Sequence, residues 1–172
     1  MLAGCATPGS DDLLFLPALS GAMAPRWVPG ARGAFYGLTA FHDKAACARA
    51  LLEGCAFAMR DVVERLDAMG LVADRIRLSG GGAKSRVWSQ IRADVCQRPV
   101  EVVGAADASP LGAAVLASVA AGEADDVADA ASQLLGPVET IEPCRSNATV
   151  YDRGYRRYRA LFDALSPVFG AA

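Results

Sequence analysis

From Arg75 to Trp88 the chain reads RIRLSGGGAKSRVW. Ile76 and Leu78 alternate with polar positions, three glycines follow, and then Val87, Ile91 and Val95 recur every fourth residue. Alternation is the period of a half-buried strand and the four-residue spacing that of a helix face. The change across the glycines predicts a strand over Arg75 to Ser79 and a helix from Lys84 to about Cys96. Strand, glycine-rich turn and helix in that order point to an α/β domain. Gly80, Gly81, Gly82 and Ala83 can present successive backbone N–H donors, the helix start adds its positive end, and Ser85 offers a hydroxyl, which together suit a nucleotide or phosphate. The same glycines would equally make a tight turn with no ligand. The spacing matches neither GxxxxGK[ST] nor GxGxxG.

The segments on either side extend the α/β pattern. VEVV, 100–103, is a second short strand. SPLGAAVLASVAA, 109–121, is a small-residue helix that Ser109 would cap and Pro110 start, with Asp107 as a second capping candidate. Its Gly112, Ala113 and Ala114 would admit a neighbouring backbone or a flat ligand. A polar linker rich in Ala and Asp follows, then VETIEP as an edge strand and a helix over 150–165. Upstream, LLFLPALSG, 13–21, reads as a strand running into a loop. APRWVPGARGAFYGLT, 24–39, is an ordered loop or a hairpin packed by Trp27, Phe35 and Tyr36. From Asp43 to Gly70, apolar and small residues at 46, 50, 51, 54, 58, 62 and 66 mark the longest helix. The organisation expected is one α/β domain over 13–165, with tails at 1–12 and 166–172.

At 172 residues and 53% hydrophobic, the chain can bury one sizeable core. Seventeen basic against nineteen acidic residues give a formal charge of −2, so nothing global favours nucleic acid as a partner. Arg153, Arg156, Arg157 and Arg159 read as the solvated face of the last helix. No apolar run reaches membrane-spanning length, and the N-terminal MLAGCATPGSDD lacks the basic region and apolar core of a secretion signal. Five cysteines, odd in number and without a CxxC pair, suit reduced thiols in the cytoplasm. The single histidine, His42, reads as a local cap or surface contact. Glu53 reads as a carboxylate on the helix flank, the alternative being burial near a site, and Cys55 and Cys96 as small apolar groups. These residues assemble no catalytic triad and no metal cluster.

Four segments in order, LPALSGAMAPRWVPGARGAFYGLT, ALLEGCAFAMRDVVERL, IRLSGGGAKSRVWSQIRADVCQRPVEVV and ASPLGAAVLASVAAG, resemble the C-terminal domain of the FGGY carbohydrate kinases, and within that family the xylulokinases. The resemblance spans roughly Leu13 to Leu165. It implies a ribonuclease H-like, actin-like ATPase domain, with a mixed sheet flanked by helices, that closes over ATP from one side. The glycine loop would then lie against adenosine, with contacts falling on Gly81 and Ser85. It further implies that most of the sugar site, the catalytic aspartate and the group organising Mg²⁺ belong to an N-terminal domain. No catalytic or metal residue maps onto this chain. The expected activity is phosphorylation of a sugar hydroxyl, D-xylulose being the first candidate, with the chain alone inactive; the alternative is a non-catalytic nucleotide-binding or assembly domain derived from such a kinase. A face built to meet a second domain would expose apolar groups, so self-association as a homodimer is a further expectation. Two departures stand out: Gly21-Ala22-Met23-Ala24-Pro25 replaces the family's Gly-Glu-Arg-x-Pro, and Trp27-Val28-Pro29 its Trp-Asp-Pro.

Overall fold

In the computed structural model, which describes residues 2–104 and 108–170, the first two strands are β1 (Leu14–Leu16) and β2 (Ala34–Tyr36), an antiparallel pair with Phe15 opposite Phe35. Those two rings meet at a centroid distance of 4.7 Å. Trp27, expected to pack this hairpin, is instead 72% exposed, and Tyr36 is also exposed. Strand β1 is buried on both faces, Leu14 and Leu16 on one and Phe15 on the other, whereas β2 is the outer strand and leaves its aromatics at the surface.

Helix α1 (Lys44–Ala68) begins where Asp43 accepts the backbone N–H of Ala46 at 2.8 Å and ends before Gly70, whose φ of +82° reverses the chain at no Cβ cost. It lies against β1. The approach is so close that a Cβ on Gly54 would stand 2.2 Å from the Phe15 carbonyl oxygen.

The second sheet is mixed and carries the order β3-β4-β5. Strand β3 (Ile76–Leu78) runs parallel to β4 (Val100–Val103), with helix α2 (Arg86–Cys96) between them, and β5 (Val138–Ile141) closes the edge antiparallel to β4. Ile76, Leu78, Val100, Val102 and Ile141 gather around Ala93 of α2. On alternate positions Arg77 donates to Glu101 at 2.7 Å, and Arg75 reaches the same carboxylate at 2.7 Å. These two hydrogen bonds hold the Glu101 carboxyl below its ordinary pKa.

Helix α3 (Ala108–Ala120) contains Ser109 rather than following it, so Ser109 is not the cap; the Asp107 alternative lies outside the described residues. Gly112, Ala113 and Ala114 are exposed, and among the described residues no backbone lies against Gly112. The stretch read as a polar linker contains α4 (Val127–Leu134), started by Asp126 accepting the N–H of Asp129 at 2.8 Å. Eight residues give too little period to register in sequence, and only Ala130 on this helix is fully buried.

Helix α5 (Ala148–Leu165) lays Tyr151, Tyr155, Tyr158, Leu161 and Phe162 along one face. With Leu16, Phe57, Ile91 and Val95 these form the main core, placed between the two sheets' helices. Residues at both ends of the chain pack onto this body: Ala3 and Ser10 are buried, and Phe169 meets Phe162 at 5.5 Å. Arg153, Arg156 and Arg159 are exposed, as expected of a solvated face, and Arg157 is half-buried; Arg153 and Arg157 both donate to Asp12 at the surface, at 3.0 and 2.6 Å. Among the described residues no helix is long and apolar enough to cross a membrane.

Candidate nucleotide site

The glycine loop connects β3 to α2, and each of its glycines is there for a different reason. Gly80 adopts φ +79°, ψ −172°, a region closed to residues with a side chain. Gly82 rests on α2: a Cβ there would meet Trp88 Cζ3 at 2.9 Å and Arg92 Nη2 at 3.2 Å. Gly81 has neither constraint. Its φ is not left-handed, it is exposed, and a Cβ would find no atom within 4 Å. The outer surface at Gly81 is therefore backbone open to an incoming group.

The loop itself is not an open coil. Gly81–Lys84 form a single 3₁₀ turn, with the Ala83 N–H donating to the Gly80 carbonyl at 3.1 Å, and α2 starts at Arg86 rather than at Lys84. The shift has a clear cause. Ser85 is extended and caps α2 by accepting the Trp88 N–H at 3.3 Å, which sets the first helical residue after it. Ala83 is buried, and Ser89 donates to its carbonyl at 3.3 Å. Lys84 is exposed.

Two concavities flank this turn. One of about 310 Å³ is lined by Gly80, Ala83, Lys84, Arg86, Gly104 and Glu139. The other, about 640 Å³ and mostly aliphatic, is lined by Ser79, Val103, Leu111, Val115, Leu116 and Val127 among others. An aliphatic cleft beside a bare glycine backbone and a helix start suits a flat heteroaromatic ring joined to an anionic group. Glu139, the carboxylate in the smaller concavity, is engaged by Arg86. Among the described residues no three His, Cys, Asp or Glu side chains come together as metal ligands.

The other residues singled out from sequence lie elsewhere. His42 clips a loop: its Nδ1 takes the Thr39 N–H at 2.9 Å and its Nε2 lies 3.1 Å from the Asp11 carbonyl. Burial pushes both thiols on the inner helices up, that of Cys96 to about 12. Glu53 is not a flank carboxylate. It is 2% exposed and accepts from the Gly9 N–H (2.9 Å), the Ser10 hydroxyl (2.8 Å), Arg49 Nε (2.8 Å) and the Tyr151 hydroxyl (2.9 Å). Burial, followed by the adjacent carboxylate, raises the Tyr151 pKa, so the phenol stays protonated and donates. Burial opposes the charge on Arg49, but its bonds to Tyr151 and Glu53 outweigh that and leave its pKa raised. Arg49 and Tyr151 were not singled out from sequence, and the only local signal was the i, i+4 spacing of Arg49 and Glu53.

The mixed sheet, its flanking helices and the glycine turn between β3 and α2 define an α/β domain of the actin-like kinase type. Residues 1–121 match the C-terminal domain of the FGGY family of carbohydrate kinases, and the chain belongs to that family. It is 39% identical over 145 residues to the gluconokinase of Bacillus subtilis, covering 84% of this chain and 28% of the relative. Its fold superimposes on the crystal structure of xylulose kinase from Rhodospirillum rubrum with a TM-score of 0.82 at 39% identity, covering 98% of this chain and 33% of the other. A Plasmodium falciparum glycerol kinase crystallised with ADP gives 0.71 at 29% identity, covering 92% and 32%. The chain thus spans about a third of the length of these relatives.

Proposed function

We propose that this chain is the nucleotide-side part of an ATP-dependent sugar kinase, with the adenosine of ATP resting on Gly81 and beside Ser85. Gly80, Gly82 and Ala83 would shape that wall. The observation that carries the reading is the bare, open backbone at Gly81 in the turn that leads into α2, a turn whose first residue, Ser79, lines an aliphatic cleft. The relatives support it by what they share. Gluconokinase, xylulose kinase and glycerol kinase are named for different acceptors, so a domain similar to all three suits the donor they have in common, and the one solved with ADP holds a nucleotide. D-Xylulose is the first acceptor to try, since xylulose kinases recur among the relatives.

Phosphoryl transfer needs the attacking hydroxyl, the metal and the γ-phosphate in line. The described residues near Gly81 supply a wall for the nucleotide and no free carboxylate base, because Glu139 is engaged by Arg86. Mg²⁺, when bound, would neutralise charge on the transferring phosphates, held mainly by groups beyond these residues. The chain alone is therefore expected to bind ATP weakly and to give no turnover.

Calorimetric titration of ATP into the wild type, Gly81→Val and Ser85→Ala tests this. Gly81→Val should fold within about 0.5 kcal/mol of wild type, since nothing crowds the site, yet lose ATP affinity by about tenfold or more as the valine fills the nucleotide's place. Ser85→Ala should cost roughly 1 kcal/mol of stability through the lost α2 cap and weaken ATP less than Gly81→Val does. An ADP-release assay with D-xylulose, D-gluconate, glycerol and L-ribulose completes the test. Equal ATP affinity in wild type and Gly81→Val would move the nucleotide off this loop. Appreciable turnover by the chain alone would overturn the divided-site reading.

A further inference from the structure

The inward side of the glycine turn is held by two α2 residues four apart, Trp88 and Arg92, which share one helix face. The Arg92 guanidinium lies over the indole, 3.7 Å from the ring centroid, and its Nη1 donates to the Gly82 carbonyl at 3.4 Å. Gly82 is bare backbone against this pair, since a Cβ would collide with the Trp88 ring. The indole N–H is buried without a partner among the described residues, so ring contacts rather than a polar bond keep Trp88 in place.

Arg92 differs from the other arginines drawn into the fold. Arg49, Arg60 and Arg98 face the carboxylates of Glu53, Asp152 and Asp67. Around Arg92 the ionisable neighbours are the thiols of Cys55 and Cys96, and burial draws its pKa below the ordinary guanidinium value. A half-buried cation without a carboxylate is a cost to the fold. What Arg92 supplies in return is its stack on Trp88 and its bond to Gly82. Three successive glycines have many conformations open to them, and any left unrestrained must be given up when a ligand binds.

We infer that Arg92, stacked on Trp88, is the positioning residue of the nucleotide loop: it keeps the Gly82 carbonyl turned inward, so that Gly80 and Gly81 present their bare face to the nucleotide. This rests on the reading of the loop as a nucleotide wall, and the experiment separates the two. Arg92→Met keeps the length of the side chain and its contact with the indole but removes the donor; Arg92→Lys restores a charged donor. Amide exchange at Ala83, whose N–H closes the turn, is followed by NMR in the ligand-free proteins, alongside ADP titration and thermal melting.

In Arg92→Met, exchange at Ala83 should quicken and ADP affinity fall, each by about five- to tenfold, the scale of one net hydrogen bond. Exchange in the distant core of α5 should stay as in wild type. Arg92→Lys should recover part of both losses. Unchanged exchange at Ala83, or faster exchange with unaltered ADP affinity, overturns the inference. A general loosening that reaches α5 also overturns it, because Arg92 would then be a packing residue only. A wild type that binds no ADP sinks the reading of the loop as a nucleotide wall instead, and the exchange rates still decide whether Arg92 sets the loop.

Discussion

Replacing Glu53 by alanine is expected to cost about 3–5 kcal/mol and to lower the melting temperature by roughly 10 °C or more in a chain of this size. The carboxylate joins four donors from three parts of the chain: the turn at Gly9 and Ser10, Arg49 on α1, and Tyr151 on α5. Removing it leaves the Arg49 guanidinium, 8% exposed, with a buried charge and only neutral acceptors, the Ala3 and Ala6 carbonyls and the Tyr151 oxygen. The turn at Ser10, Asp11 and Asp12 also loses its anchor. All three of those residues adopt positive φ, between 50° and 70°, a strain that persists only while its surroundings impose it. Replacing the pair together, Arg49→Met with Glu53→Met, should be less damaging than the two single effects added, because no charge is then stranded. Denaturant melts of the single and double variants measure this coupling. A Glu53→Ala protein as stable as wild type would show that the four bonds contribute no net stability.

Gly54→Ala should destabilise the domain by about 1–3 kcal/mol or more, the cost of overpacking a core. Helix propensity alone would give the opposite sign, since alanine in place of glycine within a helix is favourable by about 1 kcal/mol. The added Cβ would sit 2.2 Å from the Phe15 carbonyl oxygen and 3.0 Å from its carbonyl carbon, both backbone atoms that no rotamer change can move. Helix α1 must then lift away from β1, opening the contact that also seats Leu13 and Phe15 against Ala50. Gly70→Ala is the control. It has no atom within 4 Å but a φ of +82°, so its cost reflects backbone strain alone, roughly 1 kcal/mol. If Gly54→Ala melts above wild type, α1 does not lie this close to β1.

The strand-to-helix transition at Gly80 was legible because both periods are local. Ile76 and Leu78 pack under the sheet on one side, and Val87, Ile91 and Val95 turn towards the core on the other. The ends of α1 were legible for the same reason, since Asp43 and Gly70 act on backbone groups within one turn of themselves. The glycine loop could be located but not apportioned. That Gly80 serves conformation, Gly82 serves contact with Trp88, and Gly81 is held by neither a positive φ nor a crowding neighbour depends on what stands around each, and GGG carries no such distinction. The family resemblance reached Gly81 and Ser85 by another route, and their contact with a nucleotide stands as a proposal. Ser85 proves to be the α2 cap, a role its position before the helix could have suggested.

By itself, the sequence determined the order of the main elements other than β2 and α4, the mixed strand and helix class and the place of the glycine turn, because periodicity, caps and turn residues act over a few positions along the chain. Only the tertiary structure decided what the buried polar groups do. Glu53 and Tyr151 are 98 residues apart, and nothing in the helical pattern around either shows that one will neutralise the other's burial. Arg92 likewise reads as one more charged position on an amphipathic helix until the turn behind it brings the Gly82 carbonyl within reach. A side chain's neighbours in space set the cost of its burial, and those neighbours are chosen by the packing of α1, α2 and α5 rather than by the residues beside it in the chain.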